Sequence, residues 1–348
     1  MSWAANLGLE VPIIQAPMAG VSTPGMAAAV CEAGGLGSLG LGAADTASAA
    51  SMMQAVRDRT ARPYHVNLFV HAQPKLQPHI EAAWVDYLAP YFQRFGAEPL
   101  QTLQTIYDSF LGNGAMLEVV LEAAPAVVSF HFGLPDAAQV AALKAKGCLL
   151  MASATCLDEA MAARNAGMDA VVAQGYEAGG HRGMFDPDMP DSRLSMADLT
   201  RLLVKEAGLP VIAAGGIMDG RDVQAALDMG AVAAQMGTAF VGCVESAADD
   251  AYRAALFSDA ARHTVMTRVI SGRPARCLSN GFTALDQGQD ALVPDYPRAY
   301  DAGKALNQAA KSAGDGRFGA QWAGQGAPRV RAMSAAQLMA QLKTELTL

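Results

Sequence analysis

Val211-Ile212-Ala213-Ala214-Gly215-Gly216-Ile217 and Val232-Ala233-Ala234-Gln235-Met236-Gly237-Thr238 are the two segments on which the fold turns. Each is a short, nearly unbroken apolar run of strand length that stops at glycine and leads into a helical pattern. A strand that is apolar on both faces belongs to a parallel sheet covered on both sides. Working outward toward the N-terminus, the same unit recurs at Ile13 to Ala16, Gly37 to Leu41, Tyr64 to Phe69, Val127 to His131, Leu149 to Ser153 and Ala170 to Ala173, making eight expected strands with Val211 to Ala214 and Val232 to Met236. Helical stretches lie between them at Pro24 to Glu32, Thr46 to Arg59, Asp136 to Lys146, Leu157 to Asn165, Met196 to Glu206 and Gly220 to Asp228. Several end at an αL-compatible glycine: Gly34, Gly147, Gly167, Gly208 and Gly230. Eight β/α units in about 240 residues match an α/β fold of the (β/α)8 TIM barrel type, whereas a doubly wound sheet usually closes with fewer strands.

Composition sets the outer bounds. Of 348 residues, 52% are hydrophobic, 17% charged and 6% aromatic, which supplies a large core and excludes a disordered chain. Lys and Arg total 25 against 33 Asp and Glu, so a phosphate-backbone partner is not expected, and nucleic acid is excluded as a ligand class. Met1 to Pro12 lacks the blocks of a secretory signal, and no apolar run reaches the roughly 18 residues of a membrane span, so we expect a cytoplasmic protein with no membrane contact. Five cysteines form no C-x-x-C pair, and six histidines form no H-E-x-x-H, so neither a disulfide framework nor a metal site is expected. A serine hydrolase lacks its G-x-S-x-G.

Two regions break the rhythm. Residues 71–113 carry Pro74, Pro78, Pro90 and Pro99 around amphipathic pieces such as Ile80 to Leu88, too long for a βα loop, and read as an inserted helical lid. Residues 241–348 read as a C-terminal helical extension with a glycine-rich turn, Gln321-Trp322-Ala323-Gly324-Gln325-Gly326. The expected organisation is a barrel from 1–70 and 114–240, with both additions over its active-site face.

Gly35-x-Gly37-x-x-Gly40, with Asp58 downstream, has the spacing of a dinucleotide-binding turn, but the glycines overlap the second strand and follow a helix. A tight turn into a closely packed strand fits better. The ends of strands seven and eight are more informative. Bare amides at Gly215, Gly216, Gly237 and Thr238, leading into helices, form a wall that can wrap a phosphate, at the place where barrels recurrently bind one. After strand six, Gln174-Gly175-Tyr176-Glu177-Ala178-Gly179-Gly180-His181-Arg182-Gly183 places His181, a group able to exchange a proton near neutrality, in a glycine-rich loop at the catalytic face.

Taken with Ile14-Gln15-Ala16-Pro17-Met18-Ala19-Gly20, Val21-Ser22-Thr23-Pro24 and Ala33-Gly34-Gly35-Leu36-Gly37, these segments resemble the nitronate monooxygenases, formerly grouped as 2-nitropropane dioxygenases, and the first class among them. The motifs occur in order from about residue 11 to beyond residue 326. The resemblance implies an FMN-dependent oxidoreductase. It places the FMN phosphate on Gly215, Gly216, Gln235, Met236, Gly237 and Thr238, the isoalloxazine ring against Pro17 and Met18, and Asn67, Gln174 and Gly179 in the cradle. It assigns His181 as the catalytic residue and Tyr107, His131, Tyr252, Tyr296, Tyr300 and Lys304 to the substrate. The last three recur every four residues, the spacing of one helix face. A nitronate is an anion with an electron-rich carbon. The implied reaction oxidises it with O2, through a flavin semiquinone, to a carbonyl compound and nitrite or nitrate. Propionate 3-nitronate would suit Lys304. The implied partners are the small-molecule nitronate and O2, on a monomer or homodimer. The alternative within the same superfamily is an FMN-dependent NAD(P)H:quinone reductase or enoyl-reductase. A flavin-free sugar-phosphate lyase or a non-catalytic ligand-binding barrel would carry no flavin colour.

Overall fold

The computed structural model describes residues 3–288 and 292–346. Its strands are β1 Ile13–Gln15, β2 Ser38–Gly40, β3 His65–Phe69, β4 Val127–His131, β5 Leu149–Ala154, β6 Ala170–Gln174, β7 Gly180–His181, β8 Val211–Ala214, β9 Ala233–Met236, β10 Thr264–Thr267 and β11 Ala275–Leu278. Eight of them form one parallel sheet in the order β1-β9-β8-β6-β5-β4-β3-β2. A parallel bridge from Ile14 to Leu36 joins the two edges, so the sheet closes into the expected barrel. All eight expected strands are present, with no end shifted by more than one residue.

Period-two alternation sorts the strand side chains. Leu39, Val66, Leu68, Val128, Phe130 and Leu150 pack outward against the helices. At the N-terminal end the barrel interior is apolar: Ile14, Leu36, Val127, Met151, Ala170 and Ile212 pack on Trp3, Ala4 and Leu7, with Trp3 and Ala4 on the short helix Trp3–Asn6 that plugs the bottom. Farther along, the inward positions turn polar. Buried His65 bonds the Ser38 and Ser129 hydroxyls at 2.8 and 2.6 Å, while Gln15 bonds the Ser22 hydroxyl and the Ser38 amide. The inside is therefore greasy at one end and hydrogen-bonding at the other, and the ligand cavity opens at the polar end.

Helix boundaries follow cap chemistry. Thr23, Asp45, Asp136, Ser195 and Asp219 each accept a backbone N–H in the first turn of the helix they start. Gly34, Gly147, Gly167, Gly208 and Gly230 all hold φ between 69° and 95° just beyond helix ends, as the Ala-Gly, Lys-Gly and Met-Gly steps predict. Gly37 leaves no room for a side chain, since a Cβ there would sit 1.9 Å from the Ala27 carbonyl. The Gly35-x-Gly37-x-x-Gly40 run thus seats the helix Pro24–Glu32 against β2.

The insertion after β3 forms the helix Pro78–Arg94. Trp84, Leu88, Phe92 and Leu103 bury against Val269, Ile270, Phe282, Leu306 and Phe318 of the C-terminal region. A bidentate Arg298–Glu81 pair at 2.6 Å, both partners 13% exposed, locks the two together. The C-terminal region is not wholly helical as expected. β10, β11 and β7 form an antiparallel sheet, in which residues 268–274 link β10 to β11 and β7 comes from the loop after β6. These strands are too short, and too rich in arginine and threonine, to announce themselves. The last helix, Ala335–Glu345, leaves the active-site face. Ala335, Leu338, Met339 and Leu342 pack with Met26, Val30, Val223 and Ala226, on the barrel flank where the eighth helix of the repeat belongs.

Candidate active site

A cavity of about 860 Å³ opens at the C-terminal rim of the barrel. One wall is main chain. Gly215 and Gly216 hold φ of +126° and +71°, which exposes their backbone, and Gly237 and Thr238 continue the wall at the end of β9. Pro17, Met18 and Gly179 face the same space. A Cβ on Gly179 would lie 2.4 Å from the Gly324 amide, so this side of the cavity depends on a bare backbone. Asn67, Gln174 and Gln235 line the floor. Met236 differs: its side chain is buried on the helix side of β9 and does not line the cavity, so only its backbone stands near this wall. The residues present fit a flat ring with a phosphate tail, with unobstructed amides at one end and an apolar Pro17-Met18 shelf beside them.

The opposite wall is built around His181. Its carbonyl accepts from Gln174 Nε2 at 2.9 Å and from His131 Nε2 at 3.1 Å, which pins the loop twice. Because a carbonyl only accepts, Nε2 of His131 carries the proton, and its Nδ1 accepts from the Ser153 hydroxyl at 2.8 Å. Both nitrogens of His131 are thus engaged, and the residue positions His181. Gln174 Oε1 accepts the Gly183 amide at 2.7 Å, and buried Arg182 pairs with Asp191 at 2.9 Å. The His181 imidazole meets the Ser271 hydroxyl at 2.9 Å through Nε2 and packs against Trp322, with ring centroids 4.9 Å apart and the planes tilted by 54°. Burial, then the neighbouring His131 and Arg273, pushes its protonation down to about 3. Burial holds His131 down at about 4. Both rings are neutral at physiological pH.

Tyr107, Tyr252, Tyr296, Tyr300 and Lys304 all line this side. The helix Arg298–Ser312 carries Tyr300 and Lys304, whereas Tyr296 lies two residues before it. The four-residue spacing therefore does not put all three on one helix, yet they converge: Tyr107 lies 6.4 Å from Tyr296 and 5.9 Å from Tyr300 between ring centroids, and Lys304 Nζ donates to the Tyr107 hydroxyl at 2.7 Å. Burial raises Tyr252, Tyr296 and Tyr300 above the ordinary phenol range, so they stay hydroxyls. The Tyr252 hydroxyl donates to the Trp322 carbonyl and so holds the strap Gln321–Gly326 over the site. Ser271, Arg273 and Trp322 were not singled out for the site by the sequence, and Phe132 stood only within the His131-Phe132-Gly133 segment that the family resemblance marks. The only available signal was a tryptophan inside a glycine-rich turn.

The family model described as nitronate monooxygenase matches residues 3–345. A nitronate monooxygenase of Paraburkholderia phytofirmans is 56% identical over 343 residues, covering 98% of this chain and 93% of the relative. One from Pseudomonas aeruginosa is 51% identical over 342 residues, covering 98% and 97%. The crystal structure of a nitroalkane oxidase from Streptomyces ansochromogenes superposes with a TM-score of 0.90 at 38% identity, covering 99% and 97%, against 0.73 at 28% identity, covering 99% and 96%, for FabK from Thermotoga maritima. With motifs, barrel and relatives agreeing along its whole length, this chain belongs to the nitronate monooxygenase family, flavin-dependent oxidoreductases that oxidise nitronates.

Proposed function

We propose that the flavin is FMN, with its phosphate on the amides of Gly215, Gly216, Gly237 and Thr238 and the backbone of Gln235 and Met236, and its ring on Pro17 and Met18. Asn67, Gln174 and Gly179 complete the cradle. Bound FMN supplies an electron acceptor that O2 reoxidises. This chain's own residues supply placement and charge. Tyr296 and Tyr300, kept as hydroxyls by burial, can donate to the nitro oxygens, and Tyr107 presents its hydroxyl beside them. Lys304 has no carboxylate within ion-pair distance among the described residues, so its ammonium is available to a substrate carboxylate, as in propionate 3-nitronate. His181, held neutral, can take the α-proton of a nitroalkane. Tyr252 and His131 act at one remove, by fixing Trp322 and His181. The products are a carbonyl compound and nitrite or nitrate.

One observation carries this reading: the cavity is divided between a wall of bare amides and a wall of neutral imidazole, phenols and an ammonium with no counter-ion among the described residues. The test is oxygen uptake by FMN-loaded protein supplied with propyl nitronate, with nitrite and aldehyde measured together. Stoichiometric formation of both supports the reading. NADH-driven quinone reduction without nitronate-dependent uptake overturns it in favour of a reductase.

A further inference from the structure

Beside the cavity lies a buried cation with no acid within ion-pair distance among the described residues. Arg273 is 4% exposed, in the turn between β10 and β11. Its guanidinium donates to two neutral carbonyls, Met184 at 2.7 Å and Phe185 at 3.4 Å, and lies 4.3 Å from the centroid of the Phe132 ring. Asp186 and Asp188 are the acids that act on it, but neither is within ion-pair distance, and Asp188 is already held by Arg268 at 3.1 Å. Burying a charge without a partner is costly, and a fold that does so keeps the charge where it acts. Phe132 adds a second unusual feature. It holds φ at +75°, a conformation strained for a bulky side chain, and its ring meets both Arg273 and, edge-on at 5.5 Å, the His181 imidazole.

We propose that Arg273 is an electrostatic positioning residue, whose buried positive potential favours an anionic nitronate beside His181 over the neutral nitroalkane. This deepens the functional reading above and rests on it. The groups facing His181 are His131 from β4, Tyr296 ahead of the helix Arg298–Ser312, and Tyr300 on it, all neutral; Arg273 is the full charge acting on the imidazole. Burial depresses His71 and His131 most, and the same charge adds to it. It therefore works in two directions at once. It attracts an incoming anion, and it disfavours the imidazolium that would form if His181 deprotonated a nitroalkane.

The test compares wild type with Arg273→Met, Arg273→Gln and Arg273→Lys, all FMN-loaded. In the two neutral variants, the ratio of kcat/KM for propyl nitronate to that for 1-nitropropane falls about tenfold, chiefly through nitronate KM, while Arg273→Lys stays within about threefold of wild type. Independently, a nitrogen-15 titration of His181 shows its midpoint moving up by about one pH unit in the neutral variants and unmoved in Arg273→Lys. Either neutral variant suffices if the other does not fold. An unchanged ratio and midpoint in a folded neutral variant, or Arg273→Lys behaving like Arg273→Met, overturns the proposal. A wild type that oxidises neither substrate overturns the functional reading instead, and the titration then decides the electrostatic role by itself.

Discussion

His181 has its carbonyl fixed by two donors and its ring kept neutral by burial, which leaves it a lone pair for a proton and no positive charge with which to hold an anion, while the same burial makes it a weak base. His181→Asn is expected to keep FMN, to lose turnover of neutral nitroalkanes by about 100-fold, and to spare nitronates, as loss of a general base requires. Equal loss on both substrates in steady-state kinetics would reassign the residue to substrate binding. Lys304→Met is expected to raise KM about tenfold for carboxylated nitronates and to leave that for alkyl nitronates unchanged, since a charge-assisted contact is lost only with the former; an unchanged KM on both removes Lys304 from the site. The residues that the sequence disclosed sit in glycine-marked segments at strand ends. Ser271 and Trp322 reach His181 from about 90 and 140 residues downstream in sequence, and Arg273 reaches the Phe132 ring beside it; only Trp322 carries a local mark, the glycine-rich turn around it.

Two loops are stitched together over the cavity. The Gln325 amide donates to the Glu177 carbonyl at 2.9 Å, Gly324 to Thr238 Oγ1 at 3.0 Å, and the Arg276 guanidinium to the Tyr176 carbonyl at 2.9 Å. Gly179→Ala drives a Cβ against the Gly324 and Ala323 backbones, which cannot yield without parting the loops. It is expected to lower both the melting temperature and the FMN retained through gel filtration. Gly180→Ala meets nothing within 4 Å, and its φ of +76° costs about 1 kcal/mol, so it serves as the milder control. A Gly179→Ala protein as stable and as fully loaded as wild type would show that this junction does not matter. At this scale the barrel was the most legible part, because its strands are apolar runs punctuated by capping glycines and its helices carry their own N-caps. The β10–β11 hairpin was not legible, since its four-residue strands have no alternation, and Tyr296 breaks the helical reading because Pro297 follows it and the helix starts at Arg298.

The whole barrel carries a titration in its interior. Burial keeps His65 and His181 neutral down to about 3, and His71 and His131 down to about 4, against an ordinary value of 6.5. Between those values the unfolded chain binds more protons than the folded one, so stability is full above pH 6.5 and is lost as pH falls toward the folded values. His65 alone contributes a slope of about 1 kcal/mol per pH unit in that window. Urea midpoints are expected to drop steeply between pH about 6.5 and pH about 4.5; a flat profile would mean these rings are not held neutral. The greasy base and polar rim of the same barrel place all the chemistry at one end, where the central claim applies: a flavin that takes electrons from a nitronate. Its most direct test is anaerobic mixing of FMN-loaded protein with propyl nitronate and, separately, with NADH, followed in the visible flavin band. The account predicts rapid loss of oxidised-flavin absorbance with the nitronate and none with NADH, and bleaching by NADH alone would contradict it.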